Sequence, residues 1–237
     1  MVGTGPRNRL LAALLVPDHT HPLAPALERV CLERGAVLLD QGDEVRHLWF
    51  PEGCVLSMTV LTRDGGTAEA ATVGREGAAG LVSALGDGRS VARAVVQVPG
   101  EAVRLPAEAL RAAFEACPAV RRACLLHAQA LLGHVLQAAA CAMLHPVEAR
   151  LGRWLLQVRD QAGGGAVLPL THEFLAEMLG VQRTTVTAAA LALQRAGLID
   201  YRRGRVTVLD RAGLEGAACE CHAAILAQHE RLPSPAG

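Results

Sequence analysis

A long stretch without charged side chains, from Ala123 to Val147 (ACLLHAQALLGHVLQAAACAMLHPV), constrains the fold of this chain more than any other feature. As a single helix it is long enough to span a bilayer. It also contains polar side chains that hydrocarbon tolerates poorly, namely His127, Gln129, His134 and Gln137. We therefore predict a helix that packs against protein, with no membrane as a partner.

The apolar residues of this helix follow two faces. One set recurs at alternating intervals of three and four, as in a coiled-coil seam: Leu125, Ala128, Leu132, Val135, Ala139 and Ala142. A second set lies on another side: Leu126, Gly133, Leu136, Ala140 and Met143. A helix that is apolar on two faces needs two partners, which we take to be its own domain and a second copy of the chain. The first set is thus predicted to form a homodimer interface; the alternative is a helix buried within one large core.

Length and composition set the number and kind of cores. A chain of 237 residues is longer than one modest core needs, so we expect two domains. Hydrophobic residues make up 51% and aromatic residues 3%, so leucine, valine and alanine must fill the interiors. Lysine is absent, and the formal net charge is +0. A net charge of zero excludes a protein that binds nucleic acid through a surface that is basic all over. It is compatible with a local basic patch.

Short runs rich in β-forming residues precede the long helix. They are AVLLDQGDE, HLWFPEG, CVLSMTVLTRDGGTAEAATVGREG and ARAVVQVPGEAVRLP, with turn sequences between them. Their spacing predicts a small antiparallel barrel or jelly roll. Helices are expected before it, at Asn8 to Leu15 and Leu23 to Glu33. After it, Pro106 opens a short helix to Ala116 and Pro118 opens the long one.

His145-Pro146 is predicted to break the long helix, and a further helix runs from Val147 to Asp160 before a Gly163-Gly164-Gly165 loop. We place a domain boundary near His145. The predicted architecture is α+β: an N-terminal antiparallel jelly roll in residues 1–117, a dimerisation helix in 118–145 and a helical C-terminal domain in 146–237.

Two helices joined by a glycine turn are predicted in the C-terminal domain. Thr171 is a favourable N-cap, Glu173 suits the helix dipole, and Gly180 supplies the turn. The second helix is expected from about Arg183 to Arg195. Together they form a helix-turn-helix.

The amino end of the second helix carries its polar chemistry. With Val186, Ala190 and Leu193 facing inward, the outward set is Arg183, Thr184, Thr187 and Ala188, with Thr185 at the edge. Arginine pairs with guanine, and threonine or alanine methyl groups contact the thymine methyl, which suits a recognition helix in the major groove. Gln182 and the first N–H groups can hold a phosphate oxygen. The alternative is a threonine-rich helix start that only caps itself.

A basic hairpin follows this helix. Two short strands, Leu198 to Tyr201 and Val206 to Leu209, flank Arg202-Arg203-Gly204-Arg205. From Arg183 to Arg211 six arginines stand against two aspartates. We call this basic hairpin the wing, and its arginines suit contacts with phosphate groups. The alternative is a solvent-exposed turn that binds nothing.

The segment from LTHEFLAEMLGVQRTTV through GLIDYRRGRVTVLD resembles the winged helix-turn-helix of the CRP/FNR family of bacterial transcription regulators. RGAVLLDQGDEVRHLWFPEGCVLSM is similar to the opening strands of that family's cyclic-nucleotide-binding-type sensor domain. The resemblance implies a sensor domain, a dimerisation helix and a winged domain in that order. It also implies a cytoplasmic homodimer that binds a palindromic operator in double-stranded DNA and works with RNA polymerase.

The resemblance also assigns roles to residues. It implies that Arg183 reads a guanine, and that Gln182, Thr185 and Thr171 contact phosphate. The complete set of DNA-binding candidates is Thr171, His172, Gln182, Arg183, Thr184, Thr185, Thr187, Ala188, Arg202, Arg203 and Arg205.

The chain departs from the family pattern at several positions. Thr184 stands where many relatives have glutamate, and Ala188 where several have arginine, so the bases of the half-site are not assigned. In the sensor domain, Arg89-Ser90 lies about one position out of register and the Gly-Glu-Leu element for a cyclic phosphate is missing. We therefore do not expect cyclic AMP as the effector, and the effector stays unidentified. Only Cys31 precedes the barrel, so no iron–sulfur cluster, haem or other cofactor is predicted.

The seven cysteines (31, 54, 117, 124, 141, 219 and 221) show no metal-finger spacing, and the N-terminus shows no cleavable signal, which favours a reduced cytoplasm. Cys219-Glu220-Cys221-His222 offers up to three zinc ligands. A continuous helix over LEGAACECHAAILAQ would turn residues two apart to different sides. We therefore predict a structural role and no metal, with thiol redox chemistry left open.

Two other functions compete with a DNA-binding regulator. One is a ligand-sensing or protein-interaction module that has lost specific DNA binding. The other is an enzyme, which we do not expect, because the sequence shows no nucleophile elbow, phosphate loop or metal-ligand pair at helical spacing.

Overall fold

The computed structural model of the chain describes residues 6–15, 23–164 and 167–231. Its N-terminal part is built of antiparallel strands: β1 (Glu28–Leu32), β2 (Val37–Leu39), β3 (His47–Pro51), β4 (Val55–Leu61), β5 (Thr67–Val73), β6 (Arg93–Val98) and β7 (Gly100–Pro106). They form one sheet in the order β1-β7-β3 and another in the order β2-β6-β4-β5. Alternating apolar side chains of both sheets, such as Leu48, Phe50, Leu105 and Val96, share one core. The predicted antiparallel jelly roll is confirmed.

Short helices flank this barrel. The helix predicted from Asn8 to Leu15 is confirmed as α1 (Arg9–Leu14). Asn8 caps it, and its side chain accepts a hydrogen bond from the Leu11 N–H. The Asn8 side chain also donates to the carbonyl groups of Pro51 and Gly77, which holds α1 against the barrel. A second short helix, α2, spans Leu81–Leu85.

The helix predicted from Leu23 to Glu33 is wrong. A 3-10 turn at Ala24–Ala26 leads directly into β1, which pairs along its whole length with β7. The helical preference of these residues is weak, and pairing with a neighbouring strand overrides it.

The predicted break at His145-Pro146 is confirmed. The helix α3 (Ala107–Ala116) leads into α4 (Pro118–Leu144), which ends at His145, and α5 (Val147–Gln161) follows. By length and composition α4 could cross a membrane, with a mean hydropathy of 1.3, and it is the single such helix in the described part of the chain. One of its faces is buried in the protein, through Val120, Ala123, Cys124, His127, Ala130, His134 and Cys141.

The opposite face of α4 is an exposed apolar stripe. Leu125, Leu132, Leu136 and Met143 are 58%, 59%, 61% and 79% exposed, and Ala139 lies between them. We call these five residues the α4 stripe. Of the other residues predicted for the dimer interface, Ala142 is exposed, whereas Ala128 and Val135 are half-buried and Val135 packs against the sensor core. The two apolar sets of α4 have the same intervals of three and four and are offset by one residue. The sequence alone therefore does not show which set faces the barrel and which faces solvent.

The C-terminal part is a helical core with a small sheet. Its elements are β8 (Val167–Pro169), α6 (His172–Leu179), α7 (Arg183–Arg195), β9 (Ile199–Arg202), β10 (Arg205–Val208), α8 (Arg211–Ala217) and α9 (Cys221–Glu230), with the sheet order β8-β10-β9. Apolar side chains of α5, including Leu151, Trp154 and Leu155, pack against those of α6 and α7. The two helices and the hairpin are confirmed, and β8 was not predicted.

The single C-terminal helix predicted through Cys219 to His222 is wrong. Ala218 has an extended backbone, with φ −74° and ψ 158°, and it separates α8 from α9. The interruption turns Cys219 and Cys221 together toward the end of α4, where they pack with Cys141.

Candidate nucleic-acid interface

The turn between α6 and α7 has the geometry that its sequence predicts. The Thr171 hydroxyl accepts a hydrogen bond from the Phe174 N–H over 3.2 Å and caps α6. Gly180 ends α6 with φ +63°, in the left-handed region that glycine enters without strain. The chain then turns through Gln182 into α7.

The amino end of α7 presents its polar side chains to solvent. Val186, Ala190 and Leu193 are buried as predicted, and Ala189 is buried with them. Gln182, Arg183, Thr184, Thr185 and Ala188 are all exposed. The structure therefore brings the predicted base-reading and phosphate-contacting residues together on one convex surface.

Arg183 forms an ion pair with Glu173 of α6 over 2.6 Å. The two side chains are 65% and 61% exposed, so solvent screens the pair and it contributes little to stability. A nucleic acid can therefore replace Glu173 as the partner of the guanidinium at small cost.

His172 and Thr187, two predicted DNA contacts, are engaged inside the domain. Thr187 donates to the Arg183 carbonyl over 3.0 Å, and its hydroxyl lies 3.2 Å from Nδ1 of His172. The His172 ring also packs on Tyr201 of β9 with a centroid distance of 4.3 Å. Burial lowers the pKa of His172, and the nearby Arg183 lowers it further. Through these contacts, His172 and Thr187 help to position α6, α7 and the hairpin relative to one another.

The wing is a tight turn of Arg203 and Gly204 between β9 and β10. Both residues have positive φ, 49° and 71°, as a hairpin turn that matches strand twist requires. A Cβ on Gly204 would lie 3.4 Å from the Thr171 methyl group, so the turn sits beside the start of α6. Arg202, Arg203 and Arg205 are exposed, and Arg202 pairs with Asp200 over 3.0 Å. The predicted phosphate contacts of the wing and of α6 thus share one edge.

In the sensor domain, the Arg89-Ser90 pair is occupied by contacts with its own loops. Arg89 donates to the Gly42 carbonyl over 3.0 Å, and the Ser90 hydroxyl donates to the Ala92 carbonyl over 2.7 Å. The cavity beside Arg89 is also lined by two carboxylates, Glu44 and Asp87, and by a second guanidinium group, that of Arg111. The two carboxylates offset the attraction of the two guanidinium groups for a phosphate.

Polar contacts between β5 and α5 join the two parts of the chain, and the sequence did not reveal them. Trp154 donates to the Glu69 carboxylate over 2.6 Å, and Gln157 donates to the Thr72 hydroxyl over 2.5 Å. Burial raises the pKa of Glu69 to about 7. The available signal was the row of polar side chains on one face of α5, but its partners lie far away in sequence.

The cysteine motif has partners that the sequence reasoning missed. Cys141 and His145, at helical spacing near the end of α4, lie beside Cys219 and Cys221. His222 instead faces Asp160, with 3.3 Å between Nε2 and a carboxylate oxygen. The signal that sequence reasoning overlooked was the interval of four between Cys141 and His145, which places two potential donors on one side of a helix.

Comparisons with known proteins agree with this architecture. Residues 29–117 match the cyclic nucleotide-binding domain, and residues 149–217 match the Crp-like helix-turn-helix domain. These two models together account for about two thirds of the chain. A comparison with curated protein sequences gives no match.

Solved structures with a similar fold come from several bacteria. A CRP-family transcriptional regulator from Thermus thermophilus is 25% identical with a TM-score of 0.65, covering 82% of this chain and 99% of that one. A putative CRP/FNR-family regulator from Eubacterium rectale is 18% identical with a TM-score of 0.68, covering 86% and 94%. FixK2 from Bradyrhizobium japonicum is 12% identical with a TM-score of 0.66, covering 81% and 98%.

The two matched domains, their order around α4 and the exposed recognition helix with its wing agree with one another. The family consists of transcription regulators, which confirms that the chain is not an enzyme. The chain belongs to the CRP/FNR family of transcription regulators, with a cyclic nucleotide-binding-type domain followed by a Crp-like helix-turn-helix.

Proposed function

We propose that the chain is a homodimeric regulator that binds a palindromic operator in double-stranded DNA with sequence specificity. One observation carries the proposal: the arginine wing lies beside the start of α6, and the exposed amino end of α7 contacts that same first turn of α6 through Arg183 and Thr187. A recognition helix enters the major groove with its amino end, while flanking basic groups contact phosphate.

The roles of the residues follow from their positions. Arg183 leaves Glu173 and gives two hydrogen bonds to a guanine. Gln182, Thr185 and Thr171 hold phosphate oxygens, as do Arg202, Arg203 and Arg205 of the wing. The methyl groups of Thr184 and Ala188 favour a thymine at the positions they face. His172 and Thr187 keep α7 in register with α6 and β9.

The homodimer uses α4. The α4 stripe exposes large apolar side chains along one helix face, and a two-fold axis would bury them against the same face of a second copy. Such a dimer presents two recognition helices to half-sites about 34 Å apart, one turn of DNA.

The sensor domain does not bind cyclic AMP in this proposal, because the Arg89-Ser90 pair is hydrogen-bonded within its own loops and two carboxylates offset the two guanidinium groups of the neighbouring cavity. Its effector, of unidentified chemistry, would act by favouring one orientation of the C-terminal part. The contacts of Glu69 and Thr72 with α5 couple the two parts. The regulator works in the cytoplasm with RNA polymerase.

Selection of duplexes from a random DNA pool tests this function. The purified chain at near-physiological salt is expected to enrich an inverted repeat whose half-site centres are one helical turn apart, and the Arg183→Ala variant is expected to enrich none. Retention of the chain on heparin, with no enriched duplex from the pool, would instead favour the module that has lost specific DNA binding.

A further inference from the structure

Four side chains with metal-binding atoms converge where α4 meets the junction of α8 and α9. Cys141 and His145 come from the end of α4, and Cys219 and Cys221 come from the interrupted segment between α8 and α9. We call these four residues the cysteine–histidine cluster. All three cysteines are buried, with 1%, 7% and 0% of Cys141, Cys219 and Cys221 exposed.

The distances within the cluster suit one ion. The Sγ atoms of Cys141 and Cys219 are 3.5 Å apart, and Sγ of Cys221 is 3.5 Å from Nδ1 of His145. All four donor atoms lie within 4.8 Å of one another. A tetrahedral zinc ion with ordinary Zn–S and Zn–N bonds needs donors roughly 3.3 to 3.8 Å apart. Small side-chain rotations are enough to close the cluster around such an ion.

A second layer of polar groups orients the donors. The other ring nitrogen of His145, Nε2, lies 3.4 Å from a carboxylate oxygen of Glu220. Metal-bound histidines commonly have such a carboxylate partner, which fixes the tautomer and directs the free nitrogen toward the ion. Gln137 donates to Sγ of Cys221 over 3.0 Å, as amides do to metal-bound thiolates.

We propose that the cysteine–histidine cluster binds one zinc ion through three thiolates and Nδ1 of His145. Three sulfur donors and one nitrogen donor form a closed structural zinc site, with no position left for a substrate. An iron–sulfur cubane binds its thiolates on separate irons, and donors this close together do not leave room for it. A disulfide between Cys141 and Cys219 would use two of the four donors and leave the arrangement of His145 and Glu220 unexplained.

The position of this site gives it a consequence for the regulator. In each chain the ion would link the end of α4, the helix of the proposed dimer, to the junction of α8 and α9, which follows the winged helix-turn-helix. Besides the break at His145-Pro146, α4 meets α5 through a contact of 3.0 Å between Nε2 of His134 and the Gln157 amide. The ion would add a further connection and limit rotation of the C-terminal part about that break. This consequence rests on the proposed function, whereas zinc binding does not.

Elemental analysis of the full-length chain tests the site without DNA. The chain, purified under reducing conditions without chelators, is expected to hold one zinc ion per chain. The double variant Cys141→Ser/Cys219→Ser is expected to hold close to none, and the control Cys31→Ser, which changes an exposed sensor cysteine, should keep the full amount. Circular dichroism of each variant checks that it is folded.

Two further measurements do not depend on the folding of the double variant. Cobalt bound to the unaltered chain is expected to show thiolate charge-transfer absorption and the intense visible bands of tetrahedral coordination. Glu220→Gln, which keeps all four donors, is expected to weaken zinc binding roughly tenfold in competition with a chromogenic chelator.

Zinc affinity of the reduced chain no greater than that of the double variant would overturn the proposal, as would a cobalt spectrum without thiolate bands. A chain that holds its zinc yet enriches no duplex would contradict the proposed function and leave the metal site standing.

Discussion

The indole N–H of Trp154 in α5 donates a hydrogen bond to the carboxyl group of Glu69 in β5 over 2.6 Å. The same carboxyl group contacts the Ser57 hydroxyl over 2.5 Å, and that hydroxyl lies 3.2 Å from the sulfur of Met178 in α6. When Glu69 is protonated, it can donate to Ser57, and Ser57 can donate to Met178. One half-buried acid thus connects the sensor sheet to two helices of the DNA-binding part.

This contact predicts a pH dependence. Burial raises the pKa of Glu69 from 4.5 to about 7, although hydrogen bonds from Ser57 and Trp154 and the charge of Arg153 oppose the shift. The folded state therefore keeps a proton that the unfolded chain releases. The stabilisation is complete below about pH 4.5 and is lost as the pH rises through 7, by up to about 3 kcal/mol.

The variant Glu69→Gln isolates this effect. Its amide can accept from Trp154 and donate to Ser57, so we expect it to keep the contact and to lose the decline in stability between pH 5 and pH 8. Burial lowers the pKa values of His127 and His134, which weaken the fold at acid pH in both proteins. The difference between the two chemical-denaturation curves at each pH is therefore the quantity to measure. A constant difference from pH 5 to pH 8 would contradict the prediction.

The α4 stripe predicts the oligomeric state. Leu132→Glu and Leu136→Glu place a charge on side chains that are about three-fifths exposed in the single chain and buried in the proposed dimer. We expect sedimentation equilibrium to show a dimer for the parent and a monomer for each variant, with secondary structure unchanged. The control Val91→Glu alters a valine of the sensor domain that is 71% exposed and should leave the dimer intact. Dimeric glutamate variants would show that another face is used.

The wing predicts a salt dependence of DNA binding. Arg203→Ala removes one phosphate contact, so the slope of log affinity against log salt concentration should become shallower by about 0.9 for each wing in the complex. The preferred operator sequence should not change, because phosphate contacts carry no base information. Arg63→Ala, an exposed arginine of the sensor domain, serves as the control with an unchanged slope. An altered operator preference in Arg203→Ala would assign that arginine to base reading.

The surroundings of Arg89 predict that cyclic AMP is not an effector. Titration calorimetry with cyclic AMP should show no saturable heat, and operator affinity should be the same with and without the nucleotide. Saturable binding that Arg89→Ala abolishes would mean that the guanidinium leaves Gly42 and that the pocket is functional.

Several features that sequence reasoning predicted correctly are governed by local chemistry. Thr171 caps a helix, Gly180 closes it, and the spacing of Val186, Ala190 and Leu193 sets which side of α7 faces solvent. Each depends on residues a few positions apart.

The errors concern contacts between distant segments. Pairing with β7 makes a strand of Glu28–Leu32, where a helix was predicted. Packing of α4 on the barrel, also a contact between distant segments, leaves Leu136 exposed and Val135 half-buried. The cysteine–histidine cluster joins Cys141 to Cys219 across a separation of 78 residues, and no periodicity carries such information. Nor does anything in the sequence place Tyr201 against the His172 ring, a contact that joins α6 to the hairpin.

Binding of single-site variants to the selected operator tests the central claim most directly. Arg183→Ala should bind at least roughly 30-fold more weakly than the parent, because each of two half-sites loses a bidentate contact worth about 1–3 kcal/mol. Arg195→Ala, an exposed arginine at the other end of the same helix, should bind within about twofold of the parent. Equal affinities of Arg183→Ala and the parent for that operator would contradict the assignment of α7 as the recognition helix.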